Sequence, residues 1–148
     1  MGPHPVVTAL IGVYHADGGP IGEAKYVLGR SLGTAHCALC DITHSPVRRK
    51  PAWDQMVDRL GLPFALVHLN EMAPDVAEQV AANGSPVVLG RRADGCLTTL
   101  LSPDQLEVLG GSLPRFESLL VISLQQESAR GSVEAVSPAP ADPLSPCR

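Results

Sequence analysis

The chain has 148 residues, a length that fits one domain with a core of ordinary size. Hydrophobic residues make up 45% of the sequence and aromatic residues only 3%, so the core must be built mainly from Leu, Val, Ile and Ala. The formal net charge is −4, and the only basic cluster is Arg48-Arg49-Lys50, which argues against nucleic acid as a partner.

The sequence also argues against a membrane protein. No apolar run approaches the roughly 20 residues needed to cross a bilayer. The N-terminal stretch has neither a basic n-region nor a small-x-small cleavage site, which favours a first strand over a signal peptide. We therefore expect a cytoplasmic protein. In a reducing compartment, a close cysteine pair is typical of catalysis or metal binding.

The first part of the chain predicts a strand followed by a helix. Residues 5–16 are apolar and rich in β-branched side chains, which predicts a strand covered on both faces, as in a parallel sheet. Residues 17–19 (Asp-Gly-Gly) stop this strand. Apolar residues at helical spacing follow Pro20, and Gly33 closes the predicted helix.

The middle of the chain predicts a helix, a strand and a second helix. Residues 51–61 begin with Pro, carry one apolar stripe and end with Gly, which predicts a helix. Residues 62–71 predict a buried strand with His68 near its C-terminal end. Residues 74–83 predict a short helix that ends at Asn-Gly.

The following region predicts a hairpin and two helices. Residues 85–90 and 96–101 predict antiparallel strands joined by a turn that contains Asp94-Gly95. Residues 102–105 (Ser-Pro-Asp-Gln) predict a helix start in which the Ser caps the helix and the Gln reaches back to it. A final amphipathic helix is predicted from about Pro114.

The C-terminal segment has a different composition from the rest. From about residue 126 to 148 it is rich in Pro, Ser and Ala and has no periodicity. Such a segment buries too little surface to offset its ordering entropy, so a disordered tail is predicted. One folded domain is therefore expected over residues 1–125.

The order of elements resembles the thioredoxin-like fold in its small glutaredoxin form, most closely over residues 64–120, in "NGSPVVLGRRADGCLTTLLSPDQLEVL". The resemblance implies an α/β domain with a small mixed four-stranded sheet flanked by helices, and a cis-proline at Pro86 that faces the active site. In that family the CxxC pair follows the first strand directly. Here Cys37 and Cys40 come after an extra helix, so we expect an insertion of about residues 18–50 that carries the CxxC.

The stretch "HCALCDITH" supports a redox function as the leading hypothesis. Cysteines separated by two residues can close a disulfide, and one ionises readily beside a helix N-terminus or a cation, which His36 or His44 would supply. In a thiol–disulfide oxidoreductase or thiol-based redox protein, Cys37 and Cys40 would cycle and His44 would tune the thiolate. Pro86 would shape the face that receives a protein or low-molecular-weight thiol partner. No cofactor is required, and the attacking cysteine is not decided by the sequence.

The same residues also fit a metal site. Cys37, Cys40 and His44 offer two thiolates and an imidazole at a spacing that can wrap one ion. His15 or His68 would complete the set, because the C-terminal ends of adjacent parallel strands meet at one edge of the sheet. Three ligands and an open position would suit zinc, and a bare thiolate pair would suit copper.

A third interpretation is a non-catalytic thioredoxin-like binding module. Free cysteine is among the most buried residue types and often acts as a small apolar side chain. We expect this of Cys96, inside the returning strand, and it remains an alternative for Cys37 and Cys40.

Overall fold

The computed structural model describes residues 6–15, 37–43 and 50–134. Within these ranges, four strands form one sheet and five helices accompany it. The strands are β1 (Val7–Val13), β2 (Phe64–Val67), β3 (Val87–Arg92) and β4 (Leu97–Leu101), and the helices are α1 (Ala38–Thr43), α2 (Pro51–Leu60), α3 (Pro74–Asn83), α4 (Pro103–Glu107) and α5 (Leu113–Glu134). The predicted mixed α/β class with a four-stranded sheet is confirmed. The helix predicted between Pro20 and Gly33 lies outside the described residues.

The sheet is mixed, with the order β2-β1-β3-β4. β1 runs parallel to β2, with Leu10 opposite Phe64 and Val13 opposite Val67. β3 runs antiparallel to both of its neighbours, β1 and β4. β1 is therefore an interior strand, and its C-terminal end lies beside the C-terminal end of β2 and the start of β3.

Each face of the sheet carries its own apolar cluster. Leu10 packs on one face with Trp53 of α2 and Phe116 of α5. Val13 packs on the other face with Val76 of α3. The continuous apolarity of β1 follows from this two-sided burial, as the sequence predicts. The core is mainly aliphatic but has an aromatic centre, since the Trp53 ring lies 5.4 Å from the ring of Phe116.

The predicted helix ends are confirmed where the sequence names them. α2 begins at Pro51 and ends at Gly61, whose φ of 69° is a left-handed conformation that glycine adopts without steric cost. α4 begins with a full capping box. The Ser102 hydroxyl accepts the N–H of Gln105, and the Gln105 side chain accepts the N–H of Ser102.

The last helix extends into the segment for which the sequence predicts a tail. α5 continues to Glu134, so residues 126–134 are helical, and residues 135–148 lie outside the described residues. Tertiary contacts hold the extension in place. The Glu127 carboxylate accepts hydrogen bonds from Arg92 at 3.0 Å and from the Thr98 hydroxyl at 3.2 Å. Composition alone does not reveal this partner on the β3–β4 hairpin.

Cys96 is not the free, buried cysteine that the sequence predicts, because it is half-buried and disulfide-bonded. It directly precedes β4 and donates its backbone N–H to Asp94 Oδ1 at 2.9 Å. The Asp side chain thus completes the Asp-Gly turn and delays the start of the strand by one residue. Within the described ranges, no helix combines the length and the apolarity that crossing a membrane requires.

Candidate functional site

The two cysteines lie at the start of α1, a six-residue helix that the sequence reading does not predict. Leu39 and Ile42, both fully buried, anchor this helix in the core cluster that also contains Trp53. Leu39 packs over Gly12 of β1, where an added Cβ would lie 3.1 Å from Leu39 Cδ2. The absent side chain of Gly12 therefore lets α1 approach the sheet closely.

Cys37 occupies the N-cap position of α1. Its Sγ accepts the backbone N–H of Cys40 at 3.3 Å, the bond that a capping side chain normally makes. It also accepts the backbone N–H of His15 at 3.4 Å. Because β1 ends at Val13, the His15 N–H is available to a partner outside the sheet. The CxxC pair is thus brought to the C-terminal end of β1.

The pKa of Cys37 is lowered from its ordinary value. The largest cause is a side-chain hydrogen bond from Cys40, and the backbone N–H groups of His15, Cys40 and Leu39 act in the same direction. Burial opposes them, because it disfavours the charged form. The hydrogen bonds outweigh burial, so the thiolate of Cys37 is stabilised relative to that of an ordinary cysteine.

Both cysteines are free thiols and both are buried. Cys37 is 1% exposed and Cys40 is 8% exposed. They belong to the same apolar cluster as Leu10 and Leu39. Backbone N–H groups therefore contact Cys37 Sγ, while apolar side chains surround the cysteine pair.

The strand-end residues gather beside this pair. Val13 is opposite Val87 in the antiparallel register, so the next residues along β1 approach Pro86 and Ser85. The His15 Nδ1 lies 2.8 Å from the Ser85 hydroxyl. The Ser85–Pro86 peptide bond is cis, as predicted, and Pro86 is buried. His15 therefore connects the two segments at this end of the sheet: its backbone N–H bonds to Cys37, and its ring bonds to Ser85.

His68 also lies at this end of the sheet, directly after β2, but its ring has other partners. Its Nδ1 is 2.9 Å from the Glu71 carboxylate, an ion pair when the imidazole is protonated. This interaction lowers the pKa of Glu71. The His68 ring lies 5.0 Å from the ring of Tyr14. The rings of His15 and His68 thus bond to Ser85 and Glu71.

The metal interpretation gains no support from the part of the chain that the structure describes. There, no group of three or more His, Cys, Asp or Glu side chains is arranged to hold a metal ion. His44 and His36 lie outside the described residues, so the proposed tuning of the thiolate by His44 stays a prediction. In the described part, backbone N–H groups and Cys40 take the role that was assigned to a cation.

Two buried residues of the site, Tyr14 and Thr43, are not predicted from the sequence. The Tyr14 hydroxyl and the Thr43 Oγ1 are buried and lie 2.9 Å apart. Tyr14 follows β1 within an apolar run, and Thr43 ends α1. The spacing of Ala38, Leu39 and Ile42 was the available sign that this segment is helical.

Comparison with known proteins finds no match for this chain: no family model, no curated protein and no solved structure is similar to it. The chemistry of the site has to follow from its own residues.

Proposed function

We propose that the protein has a thioredoxin-like fold and acts as a thiol–disulfide redox protein, with Cys37 as the attacking cysteine and Cys40 as the resolving one. The observation that carries the proposal is the set of hydrogen bonds at Cys37 Sγ, from two backbone N–H groups and from the Cys40 side chain. Hydrogen bonds donated to a sulfur stabilise its thiolate form.

The arrangement of the sheet supports the fold assignment. Its order is β2-β1-β3-β4, in which the edge strand β2 runs parallel to β1, and β3 runs antiparallel to both β1 and β4. In the resembling family, the CxxC pair follows the first strand and opens a helix. Here Cys37 contacts His15, just past β1, and opens α1, although 21 residues of chain separate the two in sequence.

The proposed reaction is a two-step exchange with a disulfide of a protein or low-molecular-weight partner. The Cys37 thiolate attacks one partner sulfur, the partner S–S bond breaks, and the released partner thiolate takes up a proton. Cys40 then loses its proton and attacks Cys37 Sγ in the mixed disulfide, which releases the second partner thiolate. The partner is reduced by two electrons, and a Cys37–Cys40 disulfide forms.

This reaction requires Cys37 to become accessible, because only 1% of it is exposed. The segment that carries α1 must open locally for a partner sulfur to reach Sγ. The reaction rate is then the product of the fraction of open molecules and the reactivity of the thiolate. Small reagents should react faster than large disulfide partners.

The test is a redox titration resolved by residue. The full chain is equilibrated in mixtures of reduced and oxidised dithiothreitol, quenched with an alkylating reagent and digested with trypsin. Cleavage after Arg30 and Arg48 isolates residues 31–48 with both cysteines, whereas Cys96 and Cys147 fall in other peptides. We expect this peptide to convert reversibly to a disulfide form.

Two single variants serve as controls for this titration. Cys37→Ser and Cys40→Ser should each abolish the reversible step, whereas Cys96→Ser should leave it in place. The proposal fails if the disulfide never forms in the oxidising mixtures. Metal that co-purifies and masks these thiols until a chelator is added would instead favour the zinc or copper alternative.

A second candidate function, a non-catalytic binding module, is favoured by the burial of both sulfurs among apolar side chains. In this case the cysteines are structural, and the fold only presents a surface to a partner. The same experiment separates the two functions. Resistance of Cys37 and Cys40 to both oxidation and alkylation until the protein is unfolded would support the binding module.

A further inference from the structure

Both ends of helix α1 form hydrogen bonds with the two residues that follow β1, Tyr14 and His15. At its N-terminal end, Cys37 Sγ accepts the backbone N–H of His15 at 3.4 Å. At its C-terminal end, Thr43 Oγ1 lies 2.9 Å from the Tyr14 hydroxyl. Displacement of α1 from the end of β1 would therefore break one or both of these contacts.

Thr43 Oγ1 also lies 3.4 Å from the carbonyl oxygen of Cys40, to which its hydroxyl can donate. When Thr43 donates there, the Tyr14 hydroxyl is the donor to Thr43 Oγ1. Thr43 thus contacts both Tyr14 and the backbone of the cysteine pair.

The bond is shielded from water, since Tyr14 is 3% exposed and Thr43 is fully buried. Removal of either hydroxyl takes away a direct contact between α1 and the residue that follows β1. We expect α1 to shift in response, which would change the distance between Cys37 Sγ and the His15 N–H.

We propose that Tyr14 and Thr43 are positioning residues for the cysteine pair: their buried hydrogen bond holds α1 against the end of β1 and so keeps Cys37 Sγ within reach of the His15 N–H. The proposal rests on the function proposed above only in taking Cys37 as the reacting thiol. It concerns the ionisation of that thiol, which can be measured whether or not the protein exchanges disulfides.

The test is the pH dependence of alkylation of Cys37 by iodoacetamide, followed in the peptide of residues 31–48 from the full chain. The high-pH plateau of the rate reports access to the sulfur, and the midpoint reports its ionisation, because the thiolate is the reacting form. Tyr14→Phe and Thr43→Val each remove one hydroxyl with little change of shape. We expect each to move the midpoint to higher pH and to slow alkylation below it by roughly two- to tenfold.

Three further variants make the result specific. Thr43→Ser keeps the hydroxyl and should keep the midpoint close to that of the unmodified protein. The double variant of Tyr14 and Thr43 should shift the midpoint no more than one single variant does, because both changes break the same bond. Ser123→Ala removes a half-buried hydroxyl bond between α5 and β4, 2.7 Å long, and should lower stability without moving the midpoint.

A merely structural role predicts a different pattern. In that case, Tyr14→Phe and Thr43→Val lower the melting temperature as Ser123→Ala does, while the midpoint stays where it is. That outcome, or a shift of the midpoint to lower pH, overturns the proposal. If Tyr14→Phe does not fold, Thr43→Val and Thr43→Ser still decide the question.

Discussion

Gly12 is the position at which β1 makes room for the helix that carries the cysteines, and Gly12→Ala tests this packing directly. A Cβ at residue 12 would lie 2.8 Å from Leu66 Cδ2, 3.1 Å from Leu39 Cδ2 and 3.2 Å from Phe64 Cε1. At such distances the neighbours must move. Leu39 lies between Cys37 and Cys40 in sequence, so its displacement moves the cysteine pair.

The expected cost follows from two opposing effects. Overpacking a well-filled core costs about 1–3 kcal/mol, and replacing glycine by alanine recovers about 0.4–1 kcal/mol through the lower entropy of the unfolded chain. We expect Gly12→Ala to lower the free energy of unfolding by about 1–2 kcal/mol, measured by urea unfolding. This change alone raises the unfolded fraction by a factor of about 5–30.

Gly90→Ala is the matched control, because it overpacks the interior without touching α1. A Cβ at Gly90 would lie 3.0 Å from both Cγ atoms of Val7 and 3.1 Å from Leu100 Cδ1. Both variants should therefore lose stability, and global unfolding should speed alkylation of the 31–48 peptide in both. We expect a further increase in the alkylation rate only in Gly12→Ala, because only this substitution disturbs the packing of Leu39.

Two results would refute this reasoning. If Gly12→Ala is as stable as the unmodified protein, the contact between β1 and Leu39 is not tight. If both variants lose equal stability and alkylate at equal rates, the cysteines are reached by global unfolding alone, and Gly12 does not hold the site.

Three other predictions concern pH, the C-terminal helix and a cap. Because the pKa of Cys37 is lowered in the folded state, the unfolded state binds more protons between that pKa and the ordinary thiol value. The free energy of unfolding should rise with pH across this window, and Cys37→Ser should lack this rise in urea titrations. Glu127→Gln should lower the free energy of unfolding by about 1–2 kcal/mol, because it weakens the partly buried hydrogen bonds from Arg92 and Thr98. Hydrogen exchange should then increase in the last turns of α5. Unchanged exchange there would show that these bonds do not stabilise the end of the helix. Ser102→Ala should cost about 1 kcal/mol in urea unfolding through loss of the cap of α4, and Ser102→Gly should cost less.

Much of the scaffold could be predicted because its signals are local. The Pro at the start of α2, the left-handed Gly61 at its end and the capping pair of α4 each act within one helical turn. The apolar residues of β1 are consecutive because the strand is buried on both faces, and such a run can be recognised from the sequence alone. Local signals do not extend to the end of α5, where Glu127 bonds to Arg92, a partner 35 residues away.

The sequence by itself determined the types and the order of the four strands and of α2 to α5, and the presence of a cysteine pair with two strand-end histidines. Only the tertiary structure decided which atoms meet. Cys37 Sγ reaches the N–H of His15, 22 residues earlier, and the His15 ring reaches Ser85, 70 residues later. The physical reason is that periodicity and capping report how a residue interacts within one or two turns, whereas these contacts depend on the sheet register and on how closely α1 packs over a single glycine.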